Sequence, residues 1–210
     1  IKWNTCLVYL DDVIIFSPDR VSHLRHVDEA LTLLHNAGLS LKLGKCRFFS
    51  ETVDYLGHVI RPGRLGVAEK NTDALRGAPC PTTQTELRSF LGLCNVYRRF
   101  VPHFASLAAP LNAYLTKGKP PLLGKLSDAA ISAFETLRKK LLSPPVLALP
   151  RSKGQLWLDT DASQGQLGCC LLQKQPEGPP LPLGYWSRTL NAAERTIPQR
   201  RRNAWRSCGQ

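Results

Sequence analysis

Two adjacent aspartates, Asp11 and Asp12, stand between two short apolar, β-branched-rich runs at residues 5–9 and 13–16. That pattern reads as a β-hairpin with an acidic tip. A carboxylate beside strands expected to be buried is costly unless something compensates its charge. Mg²⁺ would do so, because it is a hard cation that takes carboxylate oxygens and keeps waters and substrate phosphates in its shell. Two such ions can activate a hydroxyl nucleophile and stabilise a leaving pyrophosphate, the chemistry of nucleotidyl transfer. By itself, however, an Asp-Asp pair in a turn is more often a solvated loop.

The other reactive side chains form no such pattern. His23, His26, His35 and His103 are paired with no nucleophile or second metal ligand at useful spacing, and read as structural or surface residues. The seven cysteines form an odd set with no CxxC pair, which fits neither a disulfide framework nor a zinc site and suits a reducing compartment.

The elements that must position the acidic tip follow from periodicity. Leu24, Val27, Leu31 and Leu34 repeat at helical spacing, with Ser22 as a candidate cap and Gly38 as a stop. A second strand pair is expected over residues 52–60, closed by the Arg61-Pro62-Gly63 turn. Thr83 and Glu86 form a capping box ahead of Leu87, Phe90, Leu91 and Cys94, in a helix that should stop near Val101-Pro102. Gly, Pro and Lys dominate residues 117–125, a further helix is expected over 128–142, and Pro144-Pro145 ends it. A domain boundary is therefore placed between Lys117 and Pro145. Beyond it, residues 155–159 and 168–173 read as strands, followed by a Pro-rich loop at 176–182.

With 43% apolar residues, the 210-residue chain can bury a real core. A net charge of +12 favours a polyanionic partner, most simply nucleic acid, over a merely basic protein. No apolar run is long enough to span a membrane, and none is expected to bind one. The chain starts at Ile1 and contains no methionine, so the start is expected to be a cut rather than an initiation site.

Tyr9-Leu10-Asp11-Asp12 resembles the YxDD signature of reverse transcriptases, and its context VYLDDVIIFS is similar to Ty3/gypsy-type retrotransposon enzymes. The similarity continues, in the family's order, through HLRHVDEALTLLHNAGLSLKLGKCRF, YLGHVIRPGRL, ELRSFLGLCNVYRRFVPHFASLAAPLNAYL, AFETLRKKLLSPPVLALP and LDTDAS. The resemblance implies an α/β (α+β) fold: a partial right-hand polymerase palm and helical thumb, then a truncated RNase H-like mixed sheet. Residues 1–67 would be the C-terminal part of the palm, 68–117 the thumb, 118–145 a linker or connection helix, and 146–195 the N-terminal part of the RNase H-like domain.

The same resemblance implies roles. Asp11 and Asp12 would hold catalytic Mg²⁺, with Asp11 the more critical ligand, and Tyr9 would lie against the primer-template. Leu56, Gly57 and His58 correspond to the primer grip, which aims the primer end at the metals. Lys42 and Lys45 fall where the family carries lysines near the incoming dNTP, or else form a solvated basic turn. Arg98 and Arg99 could contact the phosphate backbone, or be ordinary charges at a helix C-terminus. Asp161 matches the first catalytic, metal-binding aspartate of RNase H-like domains, with Asp159 on the same strand face. The implied partners are an RNA-DNA hybrid or primer-template, a dNTP in the complete enzyme and the remaining polyprotein segments, in the cytoplasm, the nucleus or both.

After NAAER at residues 191–195 the family continues with a helix resembling YSTTEKECLAVVWA, which carries the next acidic ligand. Residues 196–210 instead contain no acid, no helical periodicity and three consecutive arginines. Suitable synonymous codons for this stretch, read from the third base, translate as YSTTEKECLAVVWA. Residues 196–210 are therefore read as an out-of-frame tail created by a single-nucleotide frameshift after Arg195. Removing the tail's four arginines lowers the net charge from +12 to +8, so the polyanion inference survives. Three functions remain open: a piece of a polymerase active only when joined to its missing parts, a non-catalytic basic nucleic-acid-binding remnant, or a decayed element copy. Neither polymerase nor RNase H activity is expected of this chain alone.

Overall fold

The computed structural model describes residues 4–116, 124–162 and 165–196, and the chain divides into two compact units, 1–56 and 57–210. The tail expectation falls almost wholly outside the described residues.

In the first unit, β1 (Cys6–Tyr9) and β2 (Asp12–Ile15) pair antiparallel, with Cys6 opposite Ile15 and Tyr9 opposite Asp12. Helix α1 (Arg20–Asn36) follows, then β3 (Val53–Tyr55). The cap of α1 is Asp19 rather than Ser22: the Asp19 carboxylate accepts from the Ser22 backbone N–H at 2.9 Å and from its hydroxyl at 2.7 Å. Asp19 wins because a carboxylate can take both donors at once, placing Ser22 one turn inside the helix. Gly38, at φ 72, follows the helix end as expected. Of the described residues here, only Cys6 and Ala30 are buried, while Leu24, Leu33, Phe48 and Phe49 are about half exposed.

The second unit holds the core. Strands β4 (His58–Arg61), β5 (Arg64–Val67) and β6 (Leu147–Ala148) are antiparallel neighbours, with Arg61 opposite Arg64 across the Pro62-Gly63 turn. Helices α2 (Glu69–Arg76), α3 (Gln84–Val96), α4 (Phe104–Asn112) and α5 (Asp128–Leu142) supply most of the buried side chains. The capping box of α3 forms as the sequence predicts, Thr83 and Glu86 each satisfying the other's backbone N–H. Helix α3 stops at Val96, and a 3₁₀ turn at Arg98–Phe100 carries the chain to Pro102.

Helix α5 lies in the stretch expected to act as a linker or connection, yet it is integral to this core. Its Phe134 packs on Phe90 with ring centroids 4.6 Å apart, and Leu137 and Leu141 are fully buried. Each such side chain stabilises the unit by roughly 1.5–3 kcal/mol. Strand β6 then returns to pair with β5, so residues on both sides of the expected 117–145 boundary share one hydrophobic cluster.

The remaining strands, β7 (Leu156–Ala162), β8 (Gln166–Gln173) and β9 (Leu181–Thr189), form an antiparallel meander, followed by the short α6 (Ala192–Arg195). Gln173 is buried and clamps the loop before β7: its amide accepts from the Arg151 N–H at 2.8 Å and donates to the Arg151 carbonyl at 2.9 Å.

Candidate nucleic-acid interface and carboxylate sites

Because Tyr9 pairs with Asp12, Leu10 and Asp11 make a two-residue turn, and Leu10 takes φ 51. Two-residue hairpin turns require such left-handed backbone, which strains a branched residue by about 1–2 kcal/mol. The acidic tip faces solvent: Tyr9 is 56% exposed, Leu10 85%, and both aspartates are exposed. The expectation that burial makes this pair costly is therefore overturned; water already solvates both carboxylates. Their chemistry still fits a hard cation that takes one or two carboxylates and completes its shell with water and phosphate oxygens. Burial, then the Asp12 charge, push the Tyr55 phenol upward.

Lys42 precedes a 3₁₀ turn at Leu43–Lys45 in the same unit, Lys45 ends it, and both are exposed. The Lys42 carbonyl accepts from the Lys45 N–H at 2.8 Å, so the backbone sets the turn and leaves the ammonium groups in water.

Leu56 ends the first unit at φ 49, and Gly57 opens the second at φ 79. The Gly57 carbonyl is where the second unit fixes this turn. It accepts from the Tyr97 hydroxyl at 2.9 Å, the Ala68 N–H at 3.0 Å and the Asn71 amide at 3.3 Å. The imidazole of His58 lies edge-on to Tyr97, at 5.4 Å between centroids, and stacks on Phe100 at 5.9 Å. Tyr97 is a residue that sequence reasoning missed. Its place within the NVYRRF run carries no local signal of a partner 40 positions away.

Arg98 and Arg99, singled out for phosphate contact, each reach β9 through one guanidinium nitrogen. The Arg98 Nη2 donates to the Ser187 carbonyl at 2.6 Å, its guanidinium lies over the Phe104 ring at 5.5 Å, and the Arg99 Nη2 donates to the Leu183 carbonyl at 3.2 Å. Both guanidiniums therefore join the thumb-like helices to the strand meander. The Ser187 hydroxyl completes the joint by accepting from the Ala105 N–H of α4 at 2.9 Å.

Asp161 lies in β7 opposite Gly168, with Asp159 two positions earlier on the same face, opposite Cys170. Asp161 is exposed. Among the described residues, no three His, Cys, Asp or Glu side chains converge to hold a metal ion. Glu194 is committed elsewhere: Arg188 grips it through two hydrogen bonds of 2.7 and 2.6 Å and holds its carboxyl down at about 2.

Residues 2–60 match the reverse transcriptase (RNA-dependent DNA polymerase) family, and residues 126–206 match the RNase H-like domain found in reverse transcriptase. The second match begins at α5 and runs into the stretch read as out of frame. Over 90% of this chain, the sequence is 38% identical to the retrovirus-related Pol polyprotein from transposon 297 of Drosophila melanogaster. The chain belongs to the retrotransposon Pol polyprotein family. It spans 17% of that relative, and 14% of the transposon Tf2-3 polyprotein of Schizosaccharomyces pombe, to which it is 33% identical over 92% of its own length. Among solved structures, the foamy viral protease-reverse transcriptase in complex with an RNA/DNA hybrid superposes with a TM-score of 0.81. That match covers 96% of this chain and 27% of the viral chain at 22% identity, which establishes the shared fold. Reverse transcriptase and RNase H family members are in general dependent on divalent metals.

Proposed function

We propose that this chain is the part of an RNA-directed DNA polymerase that carries the metal-binding hairpin, the primer grip and the thumb, and that it handles primer-template nucleic acid. One observation carries the reading: a strained two-residue turn presents Asp11 and Asp12 to solvent, inside the span that matches the reverse transcriptase family. The foamy viral relatives were solved with an RNA/DNA hybrid and with double-stranded DNA, which supports the same class of partner here. Asp11 and Asp12 would hold Mg²⁺, which when bound supplies charge neutralisation for the phosphates of the incoming dNTP. Tyr9 and the Leu56-Gly57-His58 turn would meet the primer-template, and Lys42 and Lys45, already solvated, would meet the dNTP. Activity would require the other polyprotein segments.

Asp161 would be the first RNase H carboxylate, and a frameshift after Arg195 would leave residues 196–210 without the acidic ligand expected to follow it. The purified chain should bind a fluorescent RNA-DNA primer-template with an affinity that falls steeply as salt rises, while leaving the hybrid uncut in Mg²⁺. Affinity insensitive to salt would defeat the first half, and Mg²⁺-dependent cleavage the second.

A further inference from the structure

We propose that Tyr97, assisted by Asn71, is the positioning residue for the Gly57-His58 turn, fixing where that turn meets the primer end. The inference rests on the reading of this turn as a primer grip, and adds the residues that hold it in place.

The hydrogen bonds form a closed triangle. The single proton of the Tyr97 hydroxyl goes to the Gly57 carbonyl at 2.9 Å, and its oxygen accepts from the Asn71 amide at 2.6 Å. The same amide nitrogen reaches the Gly57 carbonyl at 3.3 Å. The amide orientation is dictated, because turning the Asn71 oxygen inward would set it against a carbonyl. The Ala68 N–H also donates to that carbonyl, at 3.0 Å. Burial pushes the Tyr97 phenol upward, so the hydroxyl keeps the proton it donates.

Tyr97 also governs the next residue. Its ring meets the His58 imidazole edge-on, and Phe100, tied to Tyr97 by a 2.9 Å backbone hydrogen bond, stacks on the same imidazole, so that the three rings close a triangle. Backbone at position 57 and side chain at position 58 thus share one anchor. Packing alone does not call for the hydroxyl, since a phenylalanine fills the same volume, and burying a hydroxyl is costly without partners. The anchor is also built for glycine: a Cβ at Gly57 would stand 2.6 Å from the Tyr97 oxygen and 2.9 Å from the Asn71 amide nitrogen.

The test compares wild type, Tyr97→Phe, His58→Ala and the double variant, with Asn71→Ala as a second way of opening the triangle. Two quantities are read: amide hydrogen exchange at residues 57–59 against that of α5, and affinity for a primer-template duplex. Tyr97→Phe should speed exchange at 57–59 by about tenfold, the effect of one lost hydrogen bond, and leave α5 unchanged. It should weaken duplex binding several-fold in the wild-type background and not further once His58 is Ala, because the two act through one turn. Exchange at 57–59 unchanged in both Tyr97→Phe and Asn71→Ala would overturn the proposal, as would equal weakening with and without His58. If wild type binds no duplex, the primer-grip reading fails, and the exchange result alone decides whether Tyr97 anchors the turn.

Discussion

Ser187→Ala removes one buried oxygen from β9 and should destabilise a helix distant in sequence. Ala105 is the second residue of α4, so its N–H has no partner inside the helix. His103, at the cap position, makes no side-chain cap hydrogen bond, and the Ser187 hydroxyl takes Ala105 at 2.9 Å instead. Ser187 is only 8% exposed, so water cannot readily replace the lost oxygen. Stranding a buried donor costs about 1–3 kcal/mol, and losing a helix cap about 0.5–2 kcal/mol. The overlap sets the expectation at about 1–2 kcal/mol, or a fall in Tm of roughly 2–8 °C for a unit of this size. Urea denaturation followed by circular dichroism, with Ser143→Ala at the α5 C-cap as control, measures it. A change in Ser187→Ala below about 0.3 kcal/mol would refute the claim that β9 caps α4.

Gly57→Ala should cost about 2–4 kcal/mol, combining left-handed strain at φ 79 with the close approach to Tyr97 and Asn71, as read by the urea midpoint. Phe134→Ala should cost about 3–5 kcal/mol in the same assay, since its fully buried ring packs on Phe90 at the centre of the helical core. Glu194 has its carboxyl lowered from 4.5 to about 2 by Arg188, then by the Asn191 N–H. Its contribution to stability is present above the unfolded value and is lost as pH falls from about 4.5 through 2. Thermal melts of Glu194→Gln should therefore lack the part of the acid-side decline seen in wild type across that window.

Local signals made much of the fold legible. The Thr83-Glu86 capping box located α3, the Pro144-Pro145 stop located the end of α5, and the two apolar, β-branched-rich runs beside Asp11-Asp12 located the first hairpin. Helix α4 escaped because its start is uncapped locally, at a left-handed His103, and Pro110 interrupts it. Strand β9 escaped because Leu181-Pro182 opens it inside a Pro-rich stretch; the register irregularity at Leu171/Leu172, opposite Pro182, accommodates a residue with no N–H to give. At the site, the YxDD tip was legible as a motif, but its exposure was not, because burial depends on what packs around a hairpin. The carbonyl partners of Arg98 and Arg99, at Ser187 and Leu183, were not legible because they lie more than 80 positions along the chain.

The central claim is that Asp11 and Asp12, although solvated, are functional carboxylates. Its most direct test is primer extension by a polyprotein that contains this chain, comparing wild type with Asp11→Asn and Asp12→Asn. Both residues are exposed, so the substitutions should shift stability by no more than about 0.5 kcal/mol while extension falls to background. Undiminished extension by both folded variants would contradict the account.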